Sequence, residues 1–287
     1  MVVGGGECLL RQMPNAYRIK TNAIASRADH IETLILGASH SLISIRPSQL
    51  RNSAYNMAHV SQTIEVDAKV LETYLPMLPA LKNVVACVDA AILFDPPIAE
   101  GDEGFRATYY NLYTPLPRLG TVLRHDLEIA SYQSAKLKLS ALISGETAPQ
   151  IDSLGWYAGY TPERTQTEMF DAASVADRAR HDTQHDTTYL SQNREALQRI
   201  YDLCKQRGVT LYLICTPVVP SYTASLPAWA RQAVAETLLP YQHAPQVRVL
   251  DYADDPRFDE RDFYTPDHLN TSGAEKFTNI LREDTPL

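Results

Sequence analysis

Two short stretches at opposite ends of the chain hold the residue types that acyl transfer needs. Near the N-terminus the apolar run Thr33-Leu34-Ile35-Leu36 ends in Gly37-Ala38-Ser39-His40-Ser41. A strand that stops at Gly-x-Ser places a hydroxyl on a sharp turn at the edge of a sheet. A serine hydroxyl is a poor nucleophile until a base takes its proton. Backbone N–H groups at the start of the following helix can hold an oxyanion. Serine in this position also commonly caps a helix, so Ser39 alone leaves both readings open. Near the C-terminus Phe263-Tyr264-Thr265-Pro266-Asp267-His268-Leu269-Asn270 reads as a rigid loop feeding a helix. Such a helix can hold the His268 imidazole over a neighbouring strand end, where it would serve as the base.

For these two stretches to meet, the elements between them must form one sheet. Thr33 to Leu36, Val84 to Val88, Thr210 to Cys215 and Val247 to Leu250 read as strands. Gln62 to Leu75, Tyr189 to Arg207, Ala228 to Leu239 and a last segment after Ser272 read as helices, from apolar residues at helical spacing. Pro76 and Pro79 stop the first of these, and Gly208 stops the second. Ser272 and Glu275 fit a capping box. Strands alternating with helices predict an α/β fold, a mainly parallel sheet covered on both faces. Ligands in such folds bind beyond the carboxyl ends of the strands, where Ser39 would stand. Residues 1–27 read as a lead-in and 28–287 as a single domain. Within it 95–186 reads as an aromatic, helical insertion.

Composition narrows the function classes. The chain has 287 residues, 45% of them hydrophobic, with a formal net charge of −8 and a pI of about 5.5. That is length enough for a sizeable core. Lys and Arg form no dense run, so a nucleic-acid surface is not expected. No window approaches the ~18 apolar residues of a membrane span. The first ten residues lack the basic flank of a secretory signal, and the Gly4-Gly5-Gly6 opening reads as an engineered or truncated start. A cytoplasmic chain, or a periplasmic one whose anchor has been removed, fits that reading. Cys8, Cys87, Cys204 and Cys215 are widely spaced without a C-x-x-C pair, so a zinc site is not expected.

Serine first and histidine last, across nearly the whole chain, resembles the SGNH (GDSL-type) hydrolase superfamily. More narrowly, the chain is similar to a bacterial branch with a Gly-x-Ser-His first block and a closing Asp-His-Leu-Asn-x-x-Gly-Ala. Pro14-Asn15-Ala16-Tyr17-Arg18-Ile19-Lys20, Ser44-Ile45-Arg46-Pro47, Tyr55-Asn56-Met57-Ala58, Ser61-Gln62 and Lys276-Phe277-Thr278 carry the likeness further. The resemblance implies a three-layer α/β/α, flavodoxin-like domain. It also implies Ser39 as nucleophile, its N–H in the oxyanion hole, and no metal or organic cofactor. The second block of the family falls on Asn56-Met57-Ala58, so Ala58 N–H and the Asn56 amide become oxyanion candidates. The third block has no clean match; Asp89 stands in its place and can donate only if protonated. The family's acid normally lies three residues before the histidine, where this chain has Thr265. Asp267, Asp262, or a Ser–His dyad helped by a carbonyl or by Thr265 are the alternatives.

The expected activity is ester hydrolysis or O-acyl transfer through an acyl-Ser39 intermediate. By resemblance the substrate is a carbohydrate ester. A catalytically silent module that binds glycan or protein is the reading from a different class. His40 could line the pocket, or pack as a core histidine. Tyr109, Tyr110, Tyr113, Trp156 and Tyr157 could border the Ser39 cleft, with Tyr109 and Trp156 as sugar platforms, or could complete the core. His181 and His185, with Asp182 and Asp186, have a spacing a metal could use. Their polar surroundings favour a solvated linker.

Overall fold

The computed structural model describes residues 2–121, 126–145 and 149–287. Five strands form one all-parallel sheet: β1 (Thr33–Leu36), β2 (Ala54–Asn56), β3 (Asn83–Cys87), β4 (Thr210–Cys215) and β5 (Val247–Asp251), in the order β2-β1-β3-β4-β5. Every residue of β1 and β3 is buried, as strands covered on both faces require, which is why they read as continuous apolar runs. The register aligns Thr33 with Asn83 and Leu36 with Ala86, so β1 and β3 end side by side. The order also reverses at β1, because the chain leaves it for β2 on one side and then returns to β3 on the other. A crevice opens outside the carboxyl ends at such a reversal.

Helices cover both faces and give the three layers. Ile64–Tyr74 packs on Leu190–Arg207, and Ser39–Ser44 packs on Thr271–Asp284. Leu190–Arg207 ends at Gly208, whose φ of 75° is left-handed, as its place at the stop predicted. The lead-in forms two helices, Val2–Gln12 and Ala16–Arg27. Asn15 caps the second by accepting from Tyr17 N at 2.8 Å. Tyr17 and Ile24 enter the same core cluster as the sheet, so this segment is built into the domain's packing. The stretch 95–186 holds helices Arg106–Tyr113, Tyr132–Ser144 and Ala172–Asp182; its residues 122–125 and 146–148 lie outside the described set.

Three local expectations need correction. β2, only three residues long, has too little pattern to be read. The loop before the last helix contains a hairpin, β6 (Phe263–Thr265) with β7 (His268–Leu269). The last helix, Thr271–Asp284, is capped by Asn270 and not Ser272: Asn270 Oδ1 accepts from Ser272 N and Gly273 N, each at 3.0 Å.

Candidate active site

The turn after β1 has a conformation that only glycine tolerates. Gly37 has φ of 121°, and a Cβ there would lie 2.4 Å from Ser41 Oγ. Its N–H donates to Asp67 Oδ1 at 2.9 Å, and the Gln62 amide donates to the same oxygen at 2.6 Å. Tyr110 hydroxyl in turn donates to Gln62 Oε1 at 2.6 Å. Burial pushes the Asp67 carboxyl up to about 7. This buried chain fixes the turn from behind, and none of its members had been singled out for that role by sequence reasoning.

Ser39 is the first residue of the helix Ser39–Ser44, and Ala38 occupies the cap position. The capping alternative for Ser39 is therefore not what the structure shows. The first bond of that helix runs from Leu42 N to Ala38 O at 3.0 Å, so Ser39 N–H precedes the helical ladder. Ser39 Oγ stands 2.8 Å from His268 Nε2.

The hairpin explains how Asp267 reaches its neighbour's ring. Thr265 pairs with His268 across an irregular two-residue turn, Pro266-Asp267. That turn folds the carboxylate back, and Asp267 Oδ2 lies 3.1 Å from His268 Nδ1. Thr265 Oγ1 lies 3.0 Å from the same nitrogen and donates to Asp267 Oδ1 at 2.9 Å. With its proton spent on Asp267, the Thr265 hydroxyl faces Nδ1 as an acceptor. Both partners of Nδ1 then accept, so Nδ1 carries the proton and Nε2 presents its lone pair to Ser39. Burial holds the His268 pKa below its ordinary value, with Asp267 opposing and the cations His40 and Arg178 reinforcing. Asp262, the other acid considered, instead pairs with Lys276 at 2.6 Å and with the Asp259 N–H at 3.0 Å.

Asp267 is buried among cations. Arg178, from the insertion, donates to Oδ2 through Nε at 2.8 Å and lies 2.8 Å away through its terminal nitrogen. His40 Nε2 approaches the same oxygen at 3.5 Å, while His40 Nδ1 meets Asp89 Oδ2 at 2.7 Å. Burial would disfavour the charged ring, but Asp89 and Asp267 outweigh it and raise the His40 pKa well above the usual value. His40 is thus an imidazolium held between two carboxylates. For Asp267, burial would raise its pKa; His268 and Arg178 outweigh burial and hold it well below. The His40, Asp267 and His268 donor atoms lie close enough to hold a metal ion in principle. The Arg178 guanidinium on Asp267 competes directly with that.

The proposed oxyanion donors are distributed differently. Burial would raise the Asp89 pKa, but His40 together with hydrogen bonds from Cys87 Sγ at 3.0 Å and Ala91 N at 3.0 Å outweighs it and lowers it, so Asp89 is a carboxylate. An ionised carboxylate has no proton to donate, so Asp89 serves His40 and not an oxyanion. The Asn56 amide donates to Ser41 O at 3.0 Å and to Ile45 O at 3.4 Å. Ala58 N–H donates to Asn56 Oδ1 at 3.0 Å. Among the described residues, Ser39 N–H is the one of the four not committed in this way.

A cavity of about 140 Å³ opens beside Ser39 and His40. Neither Tyr109 nor Trp156 lines it. Tyr109 is buried, hydrogen-bonded with Ser134 at 2.9 Å, and Trp156 Nε1 donates to Ile43 O at 2.6 Å with Arg46 over its ring. The bland alternative for these two rings, core packing, matches their positions. Tyr160 is the aromatic of the insertion that meets the site, edge-on to His268 and stacked on Tyr264. His181 and His185, read as a solvated linker, line the cavity instead. Polar surroundings can mark the wall of a cleft as well as open solvent, and one sequence does not distinguish the two.

No protein-family profile matches the chain, and none of the curated proteins matches it. Among solved structures it is similar to "a putative platelet activating factor" from Streptococcus pneumonia, with a TM-score of 0.43 and 10% identity over 99% of this chain and 98% of that one. It is also similar to "a putative acylhydrolase" from Bacteroides fragilis NCTC 9343, with a TM-score of 0.41 and 9% identity over 91% of each chain.

Proposed function

We propose that this protein is a serine-dependent acyl-ester hydrolase or O-acyltransferase. One observation carries the reading: Ser39 Oγ lies 2.8 Å from a His268 Nε2 whose other nitrogen is held by a buried carboxylate. Ser39 Oγ attacks the ester carbonyl as its proton passes to His268 Nε2, and the carbonyl becomes a tetrahedral oxyanion beside Ser39 N–H. The C–O bond to the carrier breaks, and Nε2–H returns the proton to the leaving alcohol. A water or a sugar hydroxyl then repeats the sequence on acyl-Ser39. Asp267 stabilises the imidazolium and fixes its orientation. Resemblance to the SGNH branch favours a carbohydrate ester as substrate.

The alternative, a silent binding module, is favoured by one specific observation: three of the four candidate oxyanion donors are committed elsewhere. A fluorophosphonate probe decides between them. Covalent labelling located at Ser39 by peptide mass, and lost in His268→Ala, supports the enzyme. An intact folded protein that never labels at Ser39 supports the silent module.

A further inference from the structure

The cavity beside Ser39 carries four acidic side chains. Asp95, Asp102, Glu103 and Asp182 line it, against the Arg178 guanidinium, the His40 imidazolium and the imidazoles of His181 and His185. Arg178, His181 and His40 are already engaged, His40 with Asp89 and Asp267. Arg178 is bound to Asp267 and, at 3.3 Å, to Asp182; His181 lies 3.6 Å from Asp182. Glu103 is bound to Arg106 at 2.6 Å. Asp95 and Asp102 have no hydrogen bond or ion pair to their carboxylates among the described residues. Asp95 is in addition largely desolvated, and that burial, with Asp182 and Asp89 nearby, pushes its carboxyl up to about 7. His181 and Arg178 offset only part of that, and neither pairs with the Asp95 carboxylate. Thr63, 3% exposed, lines the same cavity, and its hydroxyl has no partner. A buried polar group left unpaired is costly, so its presence in a cavity wall points to a ligand that completes it.

We propose that the carrier alcohol of the ester bound beside Ser39 bears a positive charge, an ammonium group, with Asp95 and Asp102 as its counter-charges. Anionic carriers are disfavoured by the same carboxylates. This inference rests on the acyl-transfer reading for its catalytic meaning, but the charge preference is a binding property and is measurable without turnover. Opposite charges across a partly dehydrated cleft attract more strongly than in bulk water, and the attraction weakens with salt.

The test uses two isosteric phenols, 3-hydroxyphenyltrimethylammonium and 3-tert-butylphenol, with 3-hydroxybenzenesulfonate as the anionic member. Their binding to the full chain is titrated by NMR, and hydrolysis of their acetates is followed in parallel. The expected result is about tenfold tighter binding of the ammonium phenol than of its neutral isostere. The preference should shrink in 0.5 M salt and fall below about threefold in Asp95→Asn/Asp102→Asn. Equal affinity for the ammonium and neutral phenols, or a preference unchanged in the double variant, overturns the inference. Selective ammonium binding without Ser39 labelling or acetate turnover would leave the charge preference standing and remove the enzyme reading instead.

Discussion

Asp267 is the residue on which the site's electrostatics turn. A carboxylate adjacent in sequence to a histidine ordinarily points away from it, and the two-residue turn between β6 and β7 reverses that here. Thr265, where the resemblance expected the acid, becomes a spacer that donates a hydrogen bond to Asp267 and accepts one from His268. Arg178 is the residue that sequence reasoning had no means of finding. It comes from the insertion, 89 positions from Asp267, and its Nε bonds Asp267 at 2.8 Å. Its charge has a measurable consequence. A base must be neutral to accept the Ser39 proton, so the rate rises with pH through the His268 pKa. That pKa lies below the ordinary imidazole value, with burial the first cause and the cations His40 and Arg178 helping. The acid limb of kcat/KM for an aryl acetate is therefore expected below about pH 6.5. Arg178→Met removes one of those cations and should move the limb upward, with a lower plateau because Asp267 loses its anchor. A limb that stays in place in the variant would show that Arg178 has no electrostatic hold on the base.

At the scale of elements, the turn that carries Ser39 depends on a buried carboxyl behind it. Asp67 Oδ1 accepts from both Gly37 N and Gln62 Nε2. Its pKa is raised from 3.8 to about 7 by burial. Between those values the folded chain binds more protons than the unfolded one, so this group's contribution to stability falls as pH rises across that window. Asn keeps the same acceptor oxygen and cannot ionise. Asp67→Asn should therefore match wild type near pH 4 and gain on it up to about pH 7, by urea denaturation. Asp67→Ala orphans two buried donors and should lose about 1–3 kcal/mol at every pH. A loss in Asp67→Asn equal to that of Asp67→Ala would mean that the charge, not the oxygen, holds the turn. The same elements mark what the sequence could reveal. β1, β3 and β4 were legible because burial on both faces makes all but their first residues largely apolar. β2 was not, since Ala54-Tyr55-Asn56 has no period to detect. Ser272 offered a good cap, but Asn270 sits where the hairpin ends and so takes the role. Ser39 and His268 were legible from type and order. Their supports, Asp67, Gln62, Tyr110 and Arg178, were not, because a buried polar contact depends on a partner that only the fold brings near.

At the scale of the whole molecule, the segment before β1 is joined to the site by a buried lysine. Lys20, on the helix Ala16–Arg27, is 0% exposed and donates to Ala58 O at 2.6 Å. That carbonyl belongs to the loop after β2, whose Met57 N bonds Ile35 O at 2.8 Å and whose His59 N bonds Gly37 O at 3.3 Å. Tyr17 stacks on His59 with ring centroids 3.9 Å apart. One helix outside the sheet thus holds the loop that abuts the turn carrying Ser39. Burial lowers the Lys20 pKa from 10.5 to about 7, and Asp152 offsets only part of that. The sign follows directly. Between pH 7 and 10.5 the unfolded chain binds more protons at this site than the folded one, so Lys20's contribution to stability improves as pH rises through that window. Lys20→Met keeps similar bulk and removes the charge, while leaving Ala58 O without its donor. The variant should be at least as stable as wild type at pH 6, and the difference should move in favour of wild type by pH 9.5. Fluorophosphonate labelling of Ser39 should nonetheless slow about tenfold or more in Lys20→Met at both pH values, because the loop beside the turn is released. A stability difference that does not change with pH would show that Lys20 stays charged and compensated in the fold. Unchanged labelling would show that the helix packs against the loop after β2 without positioning the Ser39 turn.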